Sequence, residues 1–155
     1  MVKRNLVLES NAFSHGDPIH QDFTCDGSDV SPQLQWSGAP AGTKSFVVIC
    51  EDPDASVGTW VHWVYYNIPS TVTELRESFP PDEVPELGGA QGTNDFRRIG
   101  YGGPCPPSGT HRYVFRLFAV DTVLRLPGGA TKRQVLRAAE GHVLATAELM
   151  GTYSR

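Results

Sequence analysis

The sequence predicts a single, mainly β domain that spans residues 1–155. Its length suits one domain with a hydrophobic core of its own. The 16 glycines and 12 prolines indicate many turns and few long helices. Three separate runs are rich in β-branched and aromatic residues, which is typical of buried strands. Together these observations favour a β-rich fold.

The three predicted strands lie at residues 45–51, 60–68 and 112–120. Helix-breaking Pro53 follows the first strand, and Asp121 ends the third. Turn formers around Trp36 predict that residues 26–42 form a loop with at most one short strand. Residues 74–94 contain three prolines and three glycines, so we expect a long surface loop there.

One helix is predicted near the C-terminus, over residues 131–144. Thr131 and Gln134 have the spacing of a capping box, and Val135 and Ala139 recur at helical spacing. A short returning strand is predicted at residues 148–153.

Charge and hydropathy exclude several kinds of partner. The net charge of -4 offers no broad basic surface, which argues against binding to nucleic acid. The segment that starts at Met1 lacks the apolar core of a signal peptide. The longest apolar runs, such as residues 46–50, are too short to span a bilayer. We therefore expect a cytoplasmic protein without a transmembrane segment.

The three cysteines are an odd number, and no two form a C-x-x-C pair. Cys50 lies in an apolar strand and is predicted to be a small buried hydrophobic residue. Cys25 and Cys105 lie in predicted loops, where both reaction and pairing stay open. At least one cysteine is therefore unpaired within the chain.

Strand alternation places polar and aromatic side chains together in the second and third strands. Trp60 and His62 are predicted to share one face with Val64 and Tyr66, because side chains alternate along a strand. By the same rule His111 lies beside Tyr113 in the third strand, on the face of Phe115 and Leu117.

These side chains predict a pocket for a small anionic group. Asp52 ends the first strand, so pairing of the three strands brings Asp52, His62 and His111 to one mouth. The imidazoles can donate to phosphate oxygens, and so can the consecutive amides of the Gly102–Gly103 turn, which form an anion-binding nest. Asp52 can orient a histidine or accept from a ligand ammonium, and Trp60 offers an apolar wall.

Two other interpretations account for the same residues. Strand histidines are usually structural, and tryptophans such as Trp60 usually belong to the core. An enzyme would need a metal held by Asp52, His62 and His111, or a nucleophile at Cys105. The sequence contains no tight metal-binding spacing and no known nucleophile motif around Cys105. We therefore expect neither a metal nor catalysis.

Two motif regions stand out in the sequence. The first is Asp52-Pro-Asp-Ala with Trp60-x-His62-Trp63, and the second is Tyr101-Gly-Gly-Pro-Cys-Pro-Pro with His111-Arg-Tyr113. Together they resemble the phosphatidylethanolamine-binding protein family, also called the Raf kinase inhibitor-like family. Flanking segments such as Thr24-Cys-Asp-Gly and Gly92-Thr-Asn-Asp-Phe96 are similar to its short prokaryotic branch, so the resemblance covers nearly the whole chain.

The resemblance implies a large antiparallel sheet packed against a smaller one, with few helices and an anion-binding pocket at one end. It implies a ligand-binding protein, with inhibition of a protease or kinase as the alternative, and it makes a homodimer plausible. Cys105 is expected in the pocket wall, where its thiol can alter the choice of head group. The residues implied to line or support the pocket are Asp52, Trp60, His62, Tyr101, Gly103, Pro107, His111 and Tyr113.

Overall fold

The protein, described by a computed structural model over residues 5–155, contains two antiparallel sheets. Residues 1–4 lie outside the described residues. They are the start of the predicted domain and of the segment that was predicted not to be a signal peptide. The smaller sheet consists of β1 Val7–Glu9, β2 Leu34–Ser37 and β5 Glu74–Leu75, in the order β1-β2-β5. The larger sheet consists of β3 Ser45–Asp52, β4 Trp60–Pro69, β6 Ala90–Gln91, β7 Thr110–Val120 and β8 Val143–Ser154, in the order β6-β4-β3-β7-β8.

The larger sheet is covered on both faces. One face packs against the smaller sheet in a core that includes Trp36 and Phe115. The other face packs against helix α1, Lys132–Ala139, which buries Val135. Every residue of the central strand β3 is buried, as expected for a strand between two layers. The predicted mainly β architecture of a large antiparallel sheet on a smaller one is confirmed.

The three predicted strands are confirmed, but alternation breaks within β4. Cys50 pairs with Trp63 while the next residue, Glu51, pairs with Val61, so His62 is the extra residue of a β-bulge. Val61 consequently packs in the core beneath α1 with Val64 and Tyr66. The predicted shared face of His62, Val64 and Tyr66 is therefore wrong, because one inserted residue reverses the alternation.

The C-terminal helix begins where predicted and ends earlier. Thr131 and Gln134 form the predicted capping box. The helix stops at Ala139, and Gly141 then adopts a φ of 81°, a left-handed conformation that turns the chain into β8. The predicted helix was too long and the predicted strand too short, since β8 starts at Val143.

Short strands occur within or beside the two predicted loops. The one short strand that was predicted as possible within residues 26–42 is β2. In the predicted loop over residues 74–94, β5 occupies the first two residues and β6 occupies residues 90–91. None of the helices in residues 5–155 is long and apolar enough to cross a membrane.

A buried carboxylate fastens α1 to the larger sheet. Glu51 is 5% exposed and accepts a hydrogen bond from Arg116 Nε at 2.7 Å. Its second oxygen contacts the Lys132 ammonium at the start of α1. Two cations offset the cost of burying this charge, because an unpaired buried carboxylate is strongly destabilising.

Candidate functional site

A cavity of about 170 Å³ opens where β3 ends and β4 and β7 begin. Antiparallel pairing of β3 with both neighbours brings these strand ends to one edge of the sheet. We call the strand-borne residues Asp52, His62, His111 and Tyr113 the cavity floor, and the loop residues 53–59 and 104–107 the cavity rim. The lining residues are Asp52, Ala55, Ser56, Val57, Trp60, His62, Phe96, Cys105, Pro106, Pro107, His111 and Tyr113.

Asp52 and His111 form the polar pair of the floor. His111 Nδ1 lies 2.7 Å from Asp52 Oδ2, and the carboxylate is only 5% exposed. Because the carboxylate accepts, Nδ1 carries a proton and Nε2 is the ring nitrogen left for a ligand. In its imidazolium form His111 donates from Nε2, while Asp52 balances the charge.

The His62 ring is held in its neutral form. Its Nδ1 lies 2.6 Å from the Gly102 carbonyl oxygen, so Nδ1 carries the proton. Burial lowers the pKa of His62, and the hydrogen bond to Gly102 only partly offsets this effect. The ring is therefore neutral near pH 7 and Nε2 accepts. Edge-on contacts with Phe96 and Tyr113 fix its plane at ring distances of 5.2 and 5.3 Å.

Two buried polar atoms of the cavity lining have no hydrogen-bond partner among the described residues. They are Trp60 Nε1 and Tyr113 Oη, and Trp36 Nε1 in the core is the other such atom. An unpaired buried donor costs about 1–3 kcal/mol. Burial also raises the pKa of Tyr113, so its phenol keeps the proton. Both residues line the cavity, and the Asp52 carboxylate beside Tyr113 raises the pKa of its phenol further.

The predicted glycine nest does not face the cavity. The amide of Gly102 donates to the His62 carbonyl at 2.9 Å, and the amide of Gly103 donates to Asp29 Oδ1 at 2.7 Å. A side chain at Gly103 would meet the Phe23 carbonyl oxygen at 2.3 Å, so glycine permits the close approach of two backbones. These amides are used within the fold, and the prediction that they bind phosphate is wrong.

Tyr101 supports the cavity wall from behind, as Gly103 does. Its hydroxyl donates to the Phe23 carbonyl at 2.7 Å, and its ring packs edge-on against Trp63 at 5.6 Å. Neither Tyr101 nor Gly103 lines the cavity. The other predicted site residues, which are Asp52, Trp60, His62, Cys105, Pro107, His111 and Tyr113, all line it.

Cys105 reaches the rim as half of a disulfide. It is bonded to Cys25, while Cys50 is free and buried, as predicted for Cys50. Burial raises the pKa of the Cys50 thiol well above its usual value. The Cys105 sulfur in the pocket wall is therefore part of a disulfide, one of the two outcomes that the sequence left open.

The rim loop over residues 53–59 is fastened to β7 by an ion pair. Arg112 donates to both oxygens of Asp54, from Nε at 2.9 Å and from Nη2 at 2.8 Å. These hydrogen bonds lower the pKa of Asp54 to about 2. The pair holds in place the loop that contributes Ala55, Ser56 and Val57 to the lining.

Phe96 is one of five lining residues that were not predicted as site residues, and the others are Ala55, Ser56, Val57 and Pro106. Phe96 contacts Trp60 and His62 edge-on, with ring distances of 5.6 and 5.2 Å. Asn94 sets its position, because Asn94 Oδ1 accepts the Phe96 amide at 2.9 Å. An aromatic residue two positions after an asparagine in a loop was the available signal, but it does not identify a cavity by itself.

The geometry offers donors at His111, Trp60 and Tyr113 and acceptors at His62 and Asp52. The volume is below that of pockets for drug-sized ligands, which start near 300 Å³. The arrangement suits a single small group with several oxygens. Within residues 5–155, no three histidine, cysteine or carboxylate side chains cluster as a metal-binding group.

Comparisons with known proteins agree with the fold and the motifs. A family profile described as phosphatidylethanolamine-binding protein matches residues 9–154. A UPF0098 protein of Methanothermobacter thermautotrophicus is 51% identical over 150 residues, covering 97% of this chain and 99% of the relative. A UPF0098 protein of Aquifex aeolicus is 51% identical over 154 residues, covering 97% of this chain and 89% of the relative.

Solved structures give the same result. The phosphatidylethanolamine-binding protein homologue CT736 of Chlamydia trachomatis superposes with a TM-score of 0.89 at 44% identity, over 98% of this chain and 99% of that one. E. coli YbcL, a member of the mammalian PEBP family, superposes with a TM-score of 0.88 at 33% identity, over 97% and 99%. The chain therefore belongs to the phosphatidylethanolamine-binding protein family.

Proposed function

We propose that this protein binds a small oxyanion, such as phosphate or a phosphorylated head group, in the cavity. The observation that carries the proposal is the convergence on one small cavity of His62 and His111, each bound to a partner through Nδ1, together with Asp52. The indole N–H of Trp60, which also lines the cavity and can only donate, has no partner among the described residues. Family membership adds support, because the family is named for binding a phospholipid with a phosphorylated head group.

The charges of the floor suit a group that combines an oxyanion with an amine. When His111 carries a second proton, its charge offsets that of Asp52, so an anion beside the pair is not repelled. An ammonium can use His62 Nε2 as an acceptor, and it can share Asp52 Oδ1, which already accepts the Asp54 amide at 2.7 Å. We therefore expect phosphoethanolamine to bind more tightly than phosphate alone.

We also propose that the protein binds its ligand without transforming it. The sulfur best placed to act as a nucleophile, that of Cys105, is held in a disulfide. His62 and His111 each have a positioning partner, and within residues 5–155 neither ring is hydrogen-bonded to a serine hydroxyl or a thiol. A binding role uses every polar group of the floor, and a catalytic role leaves the nucleophile unassigned.

A proton–nitrogen NMR titration at pH 6 tests this proposal. Phosphate, phosphoethanolamine and ethanolamine are added separately to the native protein. We expect saturable shifts of the Trp60 indole N–H and the His111 ring with the first two, and far weaker binding of ethanolamine. A Trp60 indole signal that stays unmoved by both phosphates contradicts the proposal.

Three predictions from the sequence are retained beside this proposal. Inhibition of a protease or kinase through protein contact rests on the family resemblance, as does the homodimer. A cytoplasmic location has a direct consequence for the disulfide, because the cytosol of most organisms keeps thiols reduced. In such a compartment Cys25 and Cys105 are expected to be thiols for much of the time.

A further inference from the structure

A solvent-exposed disulfide forms part of the cavity wall. Cys105 lines the cavity and is bonded to Cys25, which lies 80 positions earlier in the chain. Both residues are exposed, so a dissolved thiol reaches the bond without unfolding the protein. Cys50 is fully buried. The cysteines therefore divide into one accessible pair and one protected thiol.

The segment that carries Cys25, residues 21–30, is attached to the cavity wall independently of the disulfide. The Cys25 amide donates to the Pro104 carbonyl at 3.1 Å. Asp29 Oδ1 accepts the Gly103 amide at 2.7 Å. These bonds remain when the sulfur–sulfur bond is broken, so the wall keeps its position while the sulfur chemistry changes.

Arg155 makes the two sulfurs unequal. Its Nη1 lies 3.7 Å from Cys105 Sγ, and its Nη2 pairs with Asp26 Oδ1 at 2.9 Å, which holds the guanidinium in place. Within residues 5–155, Cys25 Sγ receives no hydrogen bond from a cationic side chain. A nearby cation stabilises a thiolate, and the better-stabilised thiolate is the better leaving group in exchange. Cys105 is therefore the sulfur that leaves.

We propose that the Cys25–Cys105 disulfide is a site of exchange with small thiols, in which Cys25 is attacked and Cys105 is released into the cavity wall. The thiol reacts as its thiolate, and its sulfur bonds to Cys25 Sγ. The Cys25–Cys105 bond breaks, and its electron pair leaves on the Cys105 sulfur beside Arg155. A second thiol can then attack the mixed disulfide, which releases Cys25 to take up a proton and forms the oxidised thiol. Two thiols are oxidised as the protein disulfide is reduced.

Release of Cys105 changes the charge of the cavity wall. A neutral disulfide sulfur becomes a thiolate facing the site where we propose that an oxyanion binds, and like charges repel. We expect phosphate affinity to fall roughly 3- to 10-fold at pH 8. This consequence rests on the proposed function, whereas the exchange reaction does not.

Peptide mapping tests the exchange step separately from ligand binding. The native protein is incubated with reduced glutathione, and free thiols are trapped with iodoacetamide before unfolding. We expect glutathione on Cys25, the alkyl group on Cys105, and neither on Cys50. Glutathione found mainly on Cys105, or modification only after urea is added, overturns the proposal.

The variant R155Q should spread glutathione over both sulfurs, while R125Q, which alters an exposed arginine elsewhere, should keep the preference for Cys25.

A calorimetric phosphate titration tests the consequence for binding. Cys25→Ser leaves Cys105 unpaired without altering a cavity-lining residue, so it should reproduce the weaker affinity of the reduced protein and be insensitive to reductant. Equal affinities for the oxidised protein, the reduced protein and Cys25→Ser overturn the coupling. Absence of binding by the oxidised protein is instead a failure of the proposed function, and it leaves the mapping result unaffected.

Discussion

The floor and the rim of the cavity are built in different ways. Asp52 and His62, on the floor, are 4% and 2% exposed, and they bond to His111 and to the Gly102 carbonyl respectively. The rim consists of loops, and Val57 at its edge is 79% exposed. Strand pairing fixes the floor, while an ion pair and a disulfide fix the rim. Under the proposed function we expect the binding chemistry on the strand ends, and control of access to the cavity on the loops.

The largest expected effect comes from the floor, in the variant His111→Ala. It removes the donor that faces the ligand, and a hydrogen bond to a charged group contributes about 1.5–3 kcal/mol. We expect phosphate affinity to fall roughly 10- to 100-fold when it is measured at pH 6, the pH of the NMR titration. Isothermal titration calorimetry measures this change.

A second histidine–aspartate pair provides a matched control for that variant. His142 Nδ1 lies 2.8 Å from Asp121 Oδ1 on the surface, and it does not line the cavity. His142→Ala should leave phosphate affinity unchanged. Equal losses of phosphate affinity in the two alanine variants would show that binding does not depend on the floor, and the division between floor and rim would be contradicted.

A smaller loss is expected for Trp60→Phe, which removes one unpartnered donor and keeps an aromatic ring. A neutral hydrogen bond contributes about 0.5–1.5 kcal/mol, so phosphate affinity should fall roughly 2- to 12-fold. Trp36→Phe is the matched control, because its indole nitrogen is also buried and unpartnered but lies in the main core. A Trp36 variant that weakens binding as much would show that the loss arises from general loosening of the fold.

The sequence predicts the floor better than the rim, for a physical reason. Strands such as 45–51 are visible in a sequence because burial selects β-branched and aromatic residues, and antiparallel pairing then brings their ends together. That argument is sufficient to bring Asp52, His62 and His111 to one cavity. The family motifs added Pro107 and Cys105, which no pairing rule would have found.

Other features depend on contacts that no local pattern encodes. The pairing of Cys25 with Cys105 needs two loops that are distant in the sequence, and cysteine count alone leaves it open. The Gly103 amide looked free because its acceptor, Asp29, is far away in the chain. The bulge at His62 is likewise a property of the pairing with β3 and not of β4 itself.

The bulged histidine gives the floor a pH dependence that the rim lacks near neutrality. Burial lowers the pKa of His62 in the folded protein, while in the unfolded chain it is about 6.5. As the pH falls through 6.5 the unfolded state therefore binds more protons, and folding is destabilised. We expect the free energy of unfolding to decline from pH 7.5 to pH 5.5, with the loss levelling off below the folded pKa.

Comparison with His62→Gln isolates this contribution from the other titrating groups. Glutamine can still donate to the Gly102 carbonyl but does not titrate. Urea unfolding at several pH values should give a shallower decline for the variant than for the wild type. Parallel curves for the two proteins would show that His62 titrates alike in the folded and unfolded states.

The smallest effect is expected at the rim, in the variant Asp54→Asn. The pKa of Asp54 is lowered from 3.8 to about 2 by Arg112, so this pair stabilises the fold above pH 3.8 and loses its effect as the pH falls through about 2. The pair is exposed to water and screened, which limits its contribution to about 0.2–1 kcal/mol at neutral pH. Asp54→Asn should lower stability by no more than this, as urea unfolding measures, and should alter phosphate affinity by less than about twofold. A tenfold loss of affinity would place binding chemistry on the rim, and the division between floor and rim would have to be abandoned.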